Sequence, residues 1–215
     1  MKRLFAFILA LTAFSACIDQ DPFLYRIVTF GFPQEDGSLL ADDGIRYILN
    51  STATDFDWAR LPRVIAVLDV TEAVSDSTYK ARLQQYTTPV YKEPVVVSEG
   101  ELPDTLGTDD ILVSDVWYSG GCLNMMNVIE LQQNDTGGHM ISLVADCREE
   151  SPDTLKFEIH HKSNQAYTPA DMLSDYSFYS SFPVKSLMPK RDSVIIKVSW
   201  TWNGEPASAS GKIKL

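Results

Sequence analysis

Along most of this chain, apolar and polar residues alternate with period two, the signature of strands with one buried face. The alternation is cleanest in the stretch Asp109–Cys147, which predicts three consecutive strands. Ile111–Tyr118 is the first, Gly120 and Gly121 bend the chain, and Leu123–Leu131 is the second. Asn134–Gly138 has turn composition, and His139–Cys147 is the third strand. Leu123, Met125, Ile129 and Leu131 share one parity, as do Ile141, Leu143, Ala145 and Cys147. A hairpin pairing Gln133 with His139 would put both sets on one side. Asn124, Asn127, Glu130, Val128 and Val144 are distributed over the rest, so the opposite side is expected to be partly covered as well.

Before this stretch, Phe23–Phe32, Ser38–Leu40, Ile45–Leu49, Arg63–Val70, Thr78–Gln85 and Val90–Val97 read as short strands with Gly, Asp and Pro turns. Thr54–Leu61 reads as a helical turn stopped by Pro62. Short strands with little helix predict a small closed barrel over 23–98. The polar run Ser98–Thr108 is the expected boundary. Beyond it, Leu155–His161, Tyr176–Leu187 and Ser193–Trp202 predict further strands, with a short edge strand at Lys212–Leu215 and a short helix beginning at Thr168-Pro169. On Ser193–Trp202, Val194, Ile196, Val198, Trp200 and Trp202 oppose Ser193, Lys197, Ser199 and Thr201. That predicts a sheet with one buried side, and a β-sandwich over 99–215. The expected fold class is all-β, a small OB-like barrel followed by a sandwich.

The first residues change where this fold is expected to reside. Lys2 and Arg3 precede the apolar run Leu4–Phe14, then Ser15, Ala16 and Cys17. The run is shorter than the ~20 residues a spanning helix needs and reads as a secretory signal. Its end resembles the lipobox of bacterial lipoproteins, although Phe14 stands where Leu is usual. The resemblance implies cleavage after Ala16, a diacylglycerol on Cys17, and a tether over 17–22. The chain would then be lipid-anchored in the cell envelope, on the outer membrane by expectation.

The formal net charge is −11, and loss of Lys2 and Arg3 with the leader makes the body more acidic still. Such a surface repels phosphate backbones, so nucleic acid is not an expected partner. An oxidising envelope permits a Cys122–Cys147 disulfide. The parity of Cys122, opposite to the set containing Cys147, argues against it, and two buried thiols are the alternative.

Reactive constellations are sparse. His160 and His161 are adjacent on a strand and point to opposite faces, so they cannot share a metal, and His139 lies at a turn. No HExxH, CxxC or P-loop motif occurs. Ser119-Gly120-Gly121 lacks the GxSxG frame of a nucleophile turn. Asp109, Asp110 and Asp115 could supply a carboxylate pair for a hydrolase, but a chain this acidic produces such pairs by chance. Trp58, Trp117, Tyr118, Trp200 and Trp202 could offer sugar platforms, with Tyr118 and Trp202 the more exposed, or simply pack. No catalytic residue, metal or cofactor is assigned.

The segments RIVTFGFPQEDGSLLADDG (26–44), RVIAVLDV (63–70), DDILVSDVWYSGGCLNMMNVIEL (109–131), HMISLVADC (139–147) and LKFEIHHKSN (155–164) occur in an order similar to that of NigD-like lipoproteins. That family joins a lipoprotein signal to an OB-type barrel and a β-sandwich, and it carries no established active site. Its name comes from a bacteriocin gene cluster, which implies an immunity role. The resemblance therefore implies an envelope lipoprotein that binds a protein, peptide or glycan without catalysis, or one that captures a toxin at the membrane. Four triplets, beginning at Asp76, Asp104, Asp153 and Asp192, resemble O-glycosylation sites of envelope proteins in such bacteria. They make Ser77, Thr105, Thr154 and Ser193 candidate acceptors, although turn chemistry selects similar triplets.

Overall fold

A computed structural model describes residues 24–50, 58–132, 137–148, 153–164 and 172–215. Within them the chain forms fourteen strands, β1 to β14. Five of these close the barrel: β1 (Tyr25–Pro33), β2 (Leu39–Ala41), β3 (Arg46–Leu49), β4 (Val64–Ser75) and β5 (Thr78–Thr87). Their order around it is β1-β2-β3-β5-β4, with β4 returning to β1. Alternation on β4 explains the closure. Val64, Ala66, Leu68 and Val70 point inward and are buried with Leu39, Tyr47 and Leu83. Three register shifts against β5 give the long strand the extra coil that a small barrel demands. The expected helical turn is a 3-10 turn at Trp58–Arg60. Trp58 is buried, donates Nε1–H to the Ser38 carbonyl at 3.2 Å, and meets Tyr86 edge-on. It packs the barrel and is no platform for a ligand.

The remaining strands build two sheets. The first has the order β14-β13-β11-β10-β7 and the second β6-β12-β9-β8. The members are β6 (Val90–Tyr91), β7 (Val95–Val97), β8 (Leu112–Ser119), β9 (Cys122–Gln132), β10 (His139–Asp146), β11 (Thr154–Ser163), β12 (Leu173–Pro183), β13 (Ser193–Trp202) and β14 (Glu205–Lys214). Their facing sides enclose one apolar core containing Ile111, Leu123, Met125, Ile141, Leu143, Phe157, Phe182 and Val198.

Three expectations are corrected here. Residues 90–97 belong to the sandwich, one short strand in each sheet, pairing in parallel with β12 and β10. The run 98–108 does not part the domains but crosses the sandwich, where Leu106 packs on Val97 and Val144. Most consequentially, β9 and β10 are not a hairpin. β9 pairs with β8 and β12, β10 with β11 and β7, so the two face each other across the core. Parity survives this change except at Cys147, which is exposed, because either arrangement sends the other members of both apolar sets to one interior. The Gly120-Gly121 bend stands: both residues have positive φ, 58° and 80°, as a two-residue hairpin turn of type I′ requires. The helix expected from Thr168 lies outside the described residues.

Candidate functional site

Side chains of opposite chemistry converge at the junction of barrel and sandwich. β1 turns Phe30 and Phe32 outward, since Ile27 on the other parity packs in the barrel core. The turn after β2 supplies Asp42, and the residue before β4 is Arg63. From the sandwich, the outward parity of β8, β9 and β12 presents Trp117, Ser119, Cys122, Asn124, Tyr179 and Ser181, as the pairing of Trp117 with Asn124 and of Asn124 with Ser181 requires. The covered opposite side anticipated for the central strands is therefore covered, at this end, by the barrel.

Arg63 is wholly buried. Its Nη1 and Nη2 donate to the two carboxylate oxygens of Asp42 at 2.9 and 2.6 Å. Nη2 also donates to Asn124 Oδ1 at 3.1 Å. The guanidinium lies 4.5 Å from the Phe32 ring centre and 5.5 Å from that of Phe30, within cation–π range. Ser119 Oγ donates to Asp42 at 2.6 Å, Asn124 Nδ2 donates to Ser119 Oγ at 3.1 Å, and Ser181 Oγ donates to Asn124 Oδ1 at 2.7 Å. Of the side-chain atoms of this cluster, Arg63 Nε alone is buried with no hydrogen-bond partner among the described residues. Phe30, Trp117 and Tyr179 meet edge to face, with centroids 5.3 to 6.3 Å apart. Gly120 fits against this cluster because it has no side chain: a Cβ there would lie 2.2 Å from Asp42 Oδ1.

Hydroxyl, carboxylate, amide and guanidinium meet here, yet the geometry is that of a fastening. Both Asp42 oxygens are engaged by Arg63, and Ser119 gives its proton to that same carboxylate. Among the described residues no imidazole or amine contacts Ser119. The Cys122 thiol lies alongside, raised above its usual pKa chiefly by burial, which keeps it protonated and unreactive.

The other candidates disperse. Cys122 is buried at the junction, Cys147 is exposed beyond β10, and both thiols are free. The disulfide is therefore not formed, and the alternative of two buried thiols holds only for Cys122. Asp109 Oδ2 accepts from the Ser163 amide, Asp110 Oδ1 from that of Gly204 and Asp115 Oδ1 from that of Val116, so each acid caps backbone. Tyr118 packs against the sandwich core, as does Trp200, and Trp202 is half-buried. Ser77 and Thr105 are exposed, whereas Thr154 and Ser193 are half-buried where their strands begin. Cys17 lies outside the described residues. Sequence reasoning missed Arg63 altogether. It stood at the head of an apolar run, and its partner on β9 is 61 positions away.

An apolar groove of about 230 Å³ runs between the edge strands β8 and β14, lined by Val116, Tyr118, Ile196, Val198 and Ile213 among others. A more polar one of about 240 Å³ lies by Glu158, His160 and Thr201.

Residues 93–209, more than half of the chain, match the family described as the NigD-like C-terminal beta sandwich domain. No curated protein matches the sequence. Solved structures with the same fold include a protein of unknown function from Bacteroides vulgatus, with TM-score 0.69 and 16% identity over 89% of this chain and 92% of that one. A NigD-like immunity protein from Bacteroides caccae aligns with TM-score 0.62 and 17% identity over 90% and 98%. A candidate lipoprotein from Bacteroides fragilis aligns with TM-score 0.63 and 13% identity over 88% and 98%.

Proposed function

The chain belongs to the NigD-like family, and from that premise we propose that it is a non-enzymatic envelope lipoprotein that holds two β-units on a lipid tether and presents them to a partner. The observation that carries this is the junction. The place where reactive group types converge, at Arg63, Asp42, Ser119 and Asn124, is committed to fastening barrel to sandwich. A fastening of this kind suits a body that displays surfaces in fixed relation. The anchor is Cys17, acylated after removal of residues 1–16. Likeness to a candidate lipoprotein supports that part of the reading. Ser77 and Thr105, being exposed, are the better placed of the four candidate sugar acceptors.

The experiment has two arms. Wild-type chain should fractionate with membranes and carry acyl mass, and Cys17→Ser should release it. Cross-linking in intact cells should then recover a partner that the released variant does not capture. Chain found in the cytoplasm with its leader intact would overturn the reading. A narrower version, capture of a toxin or peptide at the membrane, is favoured by the likeness to the Bacteroides caccae immunity protein. It fails if a deletion strain keeps the parent's sensitivity to every bacteriocin produced by its neighbours.

A further inference from the structure

The start of β10 and the end of β11 bring two imidazoles together. His139 pairs with Ser163 and His161 with Ile141, so the two rings are diagonal neighbours on one face of the sheet. His139 Nδ1 and His161 Nε2 stand 2.9 Å apart. The ring planes differ by 18° and the centroids are 5.1 Å apart. With the facing nitrogens this close, that spacing means the rings meet edge to edge and do not overlap. The other nitrogen of His161, Nδ1, is 2.8 Å from the Asp110 carbonyl oxygen. A carbonyl only accepts, so Nδ1 carries the proton and Nε2 offers its lone pair towards His139. The segment that supplies this carbonyl is pinned in place: the Asp109 amide donates to the His161 carbonyl, and Asp109 Oδ2 accepts from the Ser163 amide. His161 is 3% exposed, and His139 is only half-buried and gives the approach from solvent.

We propose that this pair is a binding site for a borderline transition-metal dication such as Zn2+, Cu2+ or Ni2+, with His139 Nδ1 and His161 Nε2 as its two protein ligands. An imidazole whose outer N–H is held by a carbonyl has the orientation and basicity of a metal ligand. His139 frees its Nδ1 lone pair by moving its proton to Nε2, so neither neutral ring has to lose a proton. Two imidazole nitrogens on one tetrahedral ion are about 3.3 Å apart, so the pair needs to open only slightly. The charges of Asp109 and Asp110 act on His161 and offset that of the ion. Among the described residues no three His, Cys, Asp or Glu side chains converge. With water in the remaining positions the ion would be exchangeable. The proposal does not depend on the envelope role.

The test uses the full chain without a polyhistidine tag, carrying Cys147→Ser to remove the exposed thiol. Calorimetric titration with Zn2+ should give one site, and the electron paramagnetic resonance of bound Cu2+ should show coupling to two imidazole nitrogens. His139→Ala should weaken binding roughly ten-fold or more. His160→Gln should bind as the parent does, because the His160 ring lies on the opposite face, against the Gly107 carbonyl. If His139→Ala does not fold, the imidazole NMR signals of the parent decide: Zn2+ must move those of His139 and His161 and spare His160. Absence of binding by folded parent chain, or undiminished binding by folded His139→Ala, overturns the proposal.

Discussion

The sandwich interior and the barrel–sandwich junction are chemically opposite, and each holds wholly buried side chains. Among the described residues the first is mainly apolar, with the Asn127–Ser180 pair, whose amide donates at 2.8 Å, and His161 among its buried polar groups. The second is built around a guanidinium with no exposed surface. The interior gains from each apolar area it hides, with no need for a particular neighbour. The junction gains only if every charge and hydroxyl meets its own partner, because an unpartnered buried charge costs several kcal/mol. The interior therefore tolerates volume-conserving change, while the junction fixes one orientation of its two units.

Substitutions can break this contrast. Arg63→Ala should lose about 3–5 kcal/mol in urea unfolding, since Asp42 stays buried without its counter-charge. Arg63→Met with Asp42→Asn should recover much of that loss. If the double variant is no better than the single, the junction is not held by the ion pair. Phe157→Ala should also cost about 3–5 kcal/mol, through the cavity it leaves, and no change of charge elsewhere should restore it. Gly120→Ala comes next at about 2–3 kcal/mol, joining left-handed strain to collision with Asp42. Gly204→Ala at φ 73° meets nothing within 4 Å. It should cost only about 1–2 kcal/mol by strain alone, so the difference between the two variants reads the junction.

The smallest effects are those of pH. His161 is held below its ordinary pKa of 6.5, first by burial. The unfolded chain therefore takes up a proton that the folded chain refuses, and stability should fall as pH drops below 6.5. His161→Gln should flatten that slope in unfolding measurements. Asp146 is lowered to about 2, chiefly by its hydrogen bond from Arg148. Its contribution is complete above the ordinary carboxylate value and should disappear as pH falls towards 2, a second and separate step.

Much of the architecture was legible in the residue pattern. The inward set Val64, Ala66, Leu68 and Val70 and the one-sided strand Ser193–Trp202 both follow from alternation alone. The Gly120-Gly121 bend follows from which residues tolerate positive φ. The candidate site was far less legible. Tyr118 and Trp202 looked exposed, yet Tyr118 packs against the sandwich core and Trp202 is half-buried, because exposure depends on what lies over a face. His139 and His161 looked unrelated, since a diagonal contact between strands has no mark in linear spacing.

By itself, then, the sequence determined most of the strands, the side chains that face inward on the clearest of them and the main points where the chain reverses, since these follow from backbone geometry a few residues long. Only the tertiary structure decided that β9 and β10 oppose each other from different sheets, that residues 90–97 join the sandwich, and that Arg63 reaches Asp42 and Asn124. Those choices depend on closing sheets and satisfying buried charge across the whole chain. Local alternation is equally compatible with several such closures.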